Sequence, residues 1–158
     1  MENSNRARIM NTSLAVLTRQ GGLLAVNLLF LMVWGFASID KLRHGKPDWF
    51  ADKFGKTVLG IFPGLSATFW LLTAAGTAGF LLAILALLRG DFCRRDGAPW
   101  LAAMVAWSLF VFLQLGFGQW LTDDYLSAHQ QFMYFSGTLV ALIYVTGQFG
   151  LADSSGKK

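Results

Sequence analysis

Charge is scarce in this chain and unevenly spread. Only 14% of the 158 residues are Asp, Glu, Lys or Arg, against 54% hydrophobic, a balance far from that of a water-soluble domain. Residues 20–39, 57–88, 97–122 and 125–152 contain no charged side chain. Each stretch can supply the roughly 20 apolar residues that cross a hydrocarbon core of about 30 Å. Proline is rare too, with three in the chain, and Pro63-Gly64 divides the second stretch so that residues 65–88 remain as a span. The runs lack the short in-out alternation of lipid-facing strands, which excludes a closed barrel. One cysteine, Cys93, and no Cys-x-x-Cys motif exclude an internal disulfide, so Cys93 reads as a reduced loop thiol. The first apolar run follows Arg6, Arg8 and Arg19. It is too long for a signal peptide and lacks a convincing small-residue cleavage pattern, so it reads as a span.

These observations predict an all-α integral membrane four-helix bundle over residues 20–150, with spans at about 22–40, 65–88, 99–121 and 127–149. Residues 1–19 form a cytoplasmic segment and 151–158 a flexible tail. With the N-terminus inside, the inner segments carry Arg6, Arg8, Arg19, Arg89, Arg94, Arg95, Lys157 and Lys158. The outer ones carry Lys41, Arg43, Lys46, Lys53 and Lys56. The excess of basic residues favours both ends in the cytosol, across a bacterial cytoplasmic (inner) membrane. Attraction to anionic lipid accounts for the net charge of +4, and nothing points to nucleic acid.

Boundary residues agree with this layout. Pro99 suits a first helical turn, Gly90 suits a helix end, and Ser127-Ala-His-Gln130 has the form of a capping box. Between the first two spans, Phe50, Phe54, Val58, Ile61 and Phe62 recur at helical spacing among Asp52, Lys53 and Lys56. They predict one short amphipathic helix, either a connector lying on the outer interface or a lid over a pocket. Trp49, Trp70, Trp120 and Tyr125 fall near the outer boundary and Trp100 near the inner one, whereas Trp34 and Trp107 fall deeper and are expected between helices. Ala75, Gly76 and Gly79 form a small-residue face suited to close packing, within the bundle or against another subunit.

Polar residues collect on the outer side. Asp40, Lys41, Arg43 and His44 end the first span, Gln114 and Gln119 lie in the outer part of the third, and His129, Gln130 and Gln131 begin the fourth. Charges at the boundary avoid the roughly 2.5–3.5 kcal/mol each would cost at a span centre. If the helices converge, Lys41, His44, Gln114, His129, Gln130 and Tyr134 form a pocket with Gln130 and Tyr134 facing Gln114, able to hold a quinone headgroup. Haem ligation by His44 and His129 is disfavoured, since one begins a loop and the other sits in a cap. No Glu-x-x-His pair suggests a dimetal site, and no nucleophile-and-base spacing suggests a catalytic residue. Asp123-Asp124 reads as a solvated loop.

The stretch "LLFLMVWGFASIDKLRHGKPDWFADKFGK" resembles the DoxX family of small four-span membrane proteins. The match rests on Gly35 followed by Lys41 at the end of the first span, an aromatic-bearing loop and a glycine-containing second span. "HQQFMYFSGTLVAL" is similar in style to the family's fourth span, and the likeness runs from about residue 22 to 150. It implies membrane redox systems, including thiosulfate:quinone oxidoreductase subunits related to DoxD and accessory partners of oxidative-stress enzymes. Where many relatives carry an acidic residue in the second span, this chain has Thr68, Thr73 and Thr77. The expected role is an accessory subunit that stabilises or assembles a larger membrane redox or energy-converting complex, not catalytic on its own, with the bilayer and other membrane subunits as partners. The alternatives are a quinone-binding oxidoreductase subunit and, third, a small-molecule carrier or channel.

Overall fold

The structure, a computed structural model, describes the backbone of residues 2–94 and 97–153 and the side chains of 13–94 and 97–147. Among the described residues every regular element is helical: α1 (Glu2–His44), α2 (Asp48–Phe54), α3 (Val58–Ile61), α4 (Leu65–Leu88), a 3-10 turn at Asp91–Cys93, α5 (Pro99–Trp120) and α6 (Tyr125–Asp153). The four long helices alternate in direction. α1 packs along α4, α4 along α5 and α5 most extensively along α6, while α1 touches α6 only sparsely. One end of the bundle gathers the C-terminus of α1, the α2–α3 connection and the α5–α6 turn; it is called the His44 end here. The opposite end, with the turn after α4, is the Arg89 end.

Three helical segments are long and apolar enough to cross a membrane: Ser13–His44, Leu65–Leu88 and Pro99–Trp120. The surface is consistent with lipid as solvent. Leu29, Phe36, Leu71, Phe110, Leu113 and Ile143 are exposed, whereas Asn27, Ser38, Thr73, Asp91, Ser108 and Thr138 are buried, a distribution that would be unfavourable in water. These features mark the chain as a membrane protein. The fourth expected span corresponds to α6, whose described part falls outside that set of three; His129, Gln130 and Gln131 make its first turns more polar.

Three boundaries differ from the sequence reading. α1 is one continuous helix of 43 residues, roughly 65 Å at about 1.5 Å per residue, so the expected segment 1–19 is not separated from the first span by a break. Helix α6 begins two residues before the proposed capping box. The Asp124 carboxylate, not Ser127, caps it by accepting from the Ser127 N–H at 3.1 Å, while the Ala128 N–H reaches the Asp124 carbonyl at 2.9 Å. A carboxylate at a helix N-terminus also meets the favourable end of the helix dipole, an advantage the serine lacks. α6 runs on to Asp153, into the expected tail. The side chains of Arg6, Arg8, Arg95, Lys157 and Lys158, and residues 154–158 altogether, lie outside the described residues.

Pro99 opens α5 as expected, and Gly90, at φ 65°, closes α4 in the left-handed conformation that glycine adopts without a steric penalty. Asp91, fully buried, adds a cap absent from the sequence reading. Its Oδ2 accepts from the N–H groups of Trp100 at 2.8 Å and Leu101 at 2.9 Å, satisfying donors that open the helix.

The small-residue face is used within the bundle. Gly76 and Gly79 are buried against Trp34, and a Cβ on Gly79 would lie 3.0 Å from Trp34 Cδ1. The Trp34 indole N–H donates to Ser108 Oγ at 2.8 Å, and the Ser108 hydroxyl donates to the Met104 carbonyl at 2.8 Å. Asn27, oriented to satisfy both ends of its amide, donates to the Ala83 carbonyl at 3.1 Å and accepts from the Leu87 N–H at 3.3 Å. Such polar contacts matter here because apolar side chains gain little by leaving an apolar solvent. Trp107 meets the expectation in part: it joins α5 to α4 by donating its indole N–H to the Ala75 carbonyl at 2.9 Å, yet it is 39% exposed. The half-buried Ala75 therefore binds through its backbone rather than as part of a free face.

Candidate functional site: a cleft at the His44 end

The expected single amphipathic helix is two short ones. Gly55 ends α2, and the Thr57 hydroxyl caps α3 by accepting from the Leu59 N–H at 3.3 Å. This break separates the two halves of the apolar pattern. Phe50 and Phe54 are buried beside Phe69 of α4, while Val58, Ile61 and Phe62 remain exposed. Phe50 packs against Phe54 at 4.7 Å centroid distance with the rings tilted by 41°, and meets Phe69 edge-on at 5.5 Å, the latter a geometry that aromatic pairs favour. The cluster seats α2 across the end of the bundle.

Beneath α2 lies a cleft of about 470 Å³ bounded by α1, α2, α4 and α5. Its apolar wall includes Phe50, Phe54, Phe69, Leu72, Leu115 and Phe117, and its polar rim Asp40, Lys41, His44, Gln114 and Gln119. Lys41 is half-buried; Asp40, His44 and Gln114 are exposed. Nδ1 of His44 lies 3.1 Å from Asp40 Oδ1. Lys41 and His44 both fall in the last turn of α1, where basic groups complement the helix dipole. His44 is thus helical rather than at the start of a loop. Thr68 also borders the cleft; its buried hydroxyl has no hydrogen-bond partner among the described residues.

Of the six residues expected at a pocket, the structure brings Lys41, His44 and Gln114 together. His129, Gln130 and Tyr134 are not part of the cleft: all three are exposed, and the Tyr134 ring packs against Phe112 at 5.7 Å. The reason is periodicity. The buried or half-buried positions of α6 include Gln131, Phe135, Thr138, Leu142 and Val145, a stripe with a seven-residue repeat that leaves His129, Gln130 and Tyr134 to either side.

The residue the sequence reading missed is Lys53. Its Nζ donates to Gln119 Oε1 and to Asp124 Oδ2, each at 2.6 Å, joining α2 to the α5–α6 turn across the rim. The two charged side chains are 29% and 30% exposed. The Lys53 ammonium, followed by the Ser127 N–H, lowers the Asp124 carboxyl from 3.8 to about 2. Asp123-Asp124 is therefore not simply a solvated pair. No sequence signal links Lys53 to Asp124 beyond opposite charge in two segments expected on the same side.

A groove of about 440 Å³ on the α5–α6 side is lined by Phe112, Leu113, Phe117, Trp120, Phe132 and Phe135 with Gln131. Among the described residues no group of three or more His, Cys, Asp or Glu could hold a metal ion. Comparison of the chain with protein-family models, curated proteins and solved structures finds no match.

Proposed function

We propose that this protein crosses a bacterial inner membrane four times, with both ends in the cytosol, and binds an uncharged amphiphile of the quinone class in the cleft at its His44 end. The observation that carries this reading is the make-up of the cleft: aromatic and aliphatic walls beneath a rim of Lys41, His44, Gln114 and Gln119. Ligand sites commonly have this form, an apolar body with few polar groups to orient the ligand. Asp40 beside Lys41 balances the rim's charge, which suits carbonyl oxygens of a neutral headgroup better than a free anion. The Lys41 ammonium and Gln114 amide supply donors for such oxygens, and phenylalanine rings suit a flat ring. A DoxX-like place in membrane redox chemistry is part of the same proposal and rests on the sequence motif around Gly35 and Lys41 alone.

The test is lipid extraction of protein purified in mild detergent, followed by the ultraviolet difference spectrum on borohydride reduction. Retained quinone is expected, and Lys41→Met and Gln114→Leu should each reduce it. A quinone-free extract together with no binding of an added short-chain quinone would remove the proposal.

An accessory role within a larger complex is compatible with this site. The connections between the four long helices are too short to hold a soluble domain, so electron exchange with water-soluble chemistry would fall to another protein. The small-residue face, occupied by Trp34, does not supply the docking surface; co-purification of partner polypeptides would test for one elsewhere. A carrier or channel has less support, because the described span centres show neither a broken helix nor a charged residue.

A further inference from the structure

We infer that α2 is a lid that rocks on its aromatic seat, with Lys53 as the latch that holds it shut over the cleft. The inference rests on the cleft being a binding site, but the closure itself is argued from α2 alone.

The helix has only seven residues, too few for independent stability, so its position depends on what holds it. On one side Phe50 seats it against Phe69 of α4, meeting that ring edge-on at 5.5 Å. On the other, the ties to α5 and α6 are side-chain contacts: the Lys53 ammonium on Gln119 and Asp124, and the Phe54 ring, 3.6 Å from where a Gly118 Cβ would lie. The aromatic cluster is a pivot and the lysine a fastening. Gly45, at φ 69° with open space around it, stands two residues before Pro47, the N-cap of α2, so the approach to the helix can absorb a change in backbone angle, as the flank of a lid must. At its other end α2 stays joined to α3, the Thr57 N–H donating to the Phe54 carbonyl at 3.1 Å, so the motion is a tilt about that end.

Releasing Lys53 lets α2 tilt away from α5 without unseating Phe50 from Phe69. The gap that widens lies along Phe54, Gln119 and Gly118, all of which border the cleft. Val58, Ile61 and Phe62 in and after α3 are exposed; resting in the lipid interface, as such apolar side chains beside a span would, they would keep the following segment in place during the motion.

Thiol labelling tests closure without any ligand. In a Cys93→Ser background, Thr68→Cys places a reporter beside the cleft, and a water-soluble maleimide measures its accessibility in full-length protein in detergent. Lys53→Met should accelerate labelling roughly two- to five-fold, the range expected for loss of a part-exposed ion pair. Asp124→Asn, which keeps an acceptor for the α6 cap, should accelerate it too, and Lys53→Arg should restore the slow rate. The native Cys93, exposed on the Arg89 side, serves as control in separate variants retaining it: its rate should not change with Lys53→Met. Equal reporter rates in Lys53→Met, Asp124→Asn and the parent would overturn the lid. Acceleration of Cys93 as well would show general loosening and would count equally against it. If labelling behaves as expected and the extracts hold no quinone, the lid stands and the ligand assignment fails.

Discussion

Two aspartates illustrate how single residues work in this chain. Asp91 caps α5 from nine residues upstream, through two backbone N–H bonds at 2.8 and 2.9 Å. Asp91→Ala should lower stability by about 1–2 kcal/mol, the usual loss for a helix cap, read as a lower melting temperature in detergent; Asp91→Asn should retain part of the difference. Asp124 has two tasks, since one oxygen receives the Ser127 N–H and the other the Lys53 ammonium. With its carboxyl lowered from 3.8 to about 2, its contribution is fully present above 3.8 and is lost as pH falls through about 2. A carbon-13 titration of Asp124 should show a midpoint near the lower figure in the parent. In Lys53→Met it should move up toward 3.8, stopping short because the Ser127 N–H remains. A midpoint unmoved by the substitution would show that the lysine does not reach the carboxylate in solution. The sequence marks Asp91 and Asp124 only as charges beside spans; which N–H groups they receive depends on how the turns bend.

Elements are held together here by fit and by a few interior hydrogen bonds. A Cβ on Gly79 would lie 3.0 Å from Trp34 Cδ1, so an alanine there needs the indole to yield by a few tenths of an ångström, and a side chain as large as leucine has no room without moving α1 from α4. Gly79→Leu should destabilise the protein by roughly 1–3 kcal/mol or more, as overpacking does, whereas Gly137→Ala, with nothing within 4 Å of the added atom, should be close to neutral. Thermal unfolding of both in the same detergent compares them directly. Trp34→Phe keeps much of the ring volume but removes the donor to Ser108; a loss of about 0.5–1.5 kcal/mol is expected for one hydrogen bond, since the Ser108 hydroxyl keeps its bond to the Met104 carbonyl. The stripe of Ala75, Gly76 and Gly79 was legible as a packing face because small residues at helical spacing have few other uses in lipid. Its partner was not legible, since spacing along one helix carries no information about which other helix approaches it. The same limit explains why α2 and α3 separate: the apolar recurrence continues across Gly55 and Thr57, but cap geometry breaks the helix there.

At the scale of the whole molecule, the proposed topology places the His44 end outside and the Arg89 end in the cytosol. Reporters fused to the two termini should both register the cytosolic side, while a cysteine introduced at Asp48 should label from outside in intact cells. Termini on opposite faces would mean that α6 does not cross. Its polar beginning makes this the informative helix to test.

Helical class and the existence of membrane-spanning segments follow from composition and run length alone, because a chain surrounded by hydrocarbon must satisfy its backbone internally whatever its neighbours do. That Lys41, His44 and Gln114 lie toward one end of the bundle follows from helices that alternate in direction; that they border one cleft does not follow from it. The exclusion of His129, Gln130 and Tyr134, the seating of α2 on Phe69 and the reach of Lys53 to Asp124 were decided only in three dimensions. Each depends on the rotation of one helix against another or on the bend of a connection, and those are set by the simultaneous fit of side chains distant in sequence.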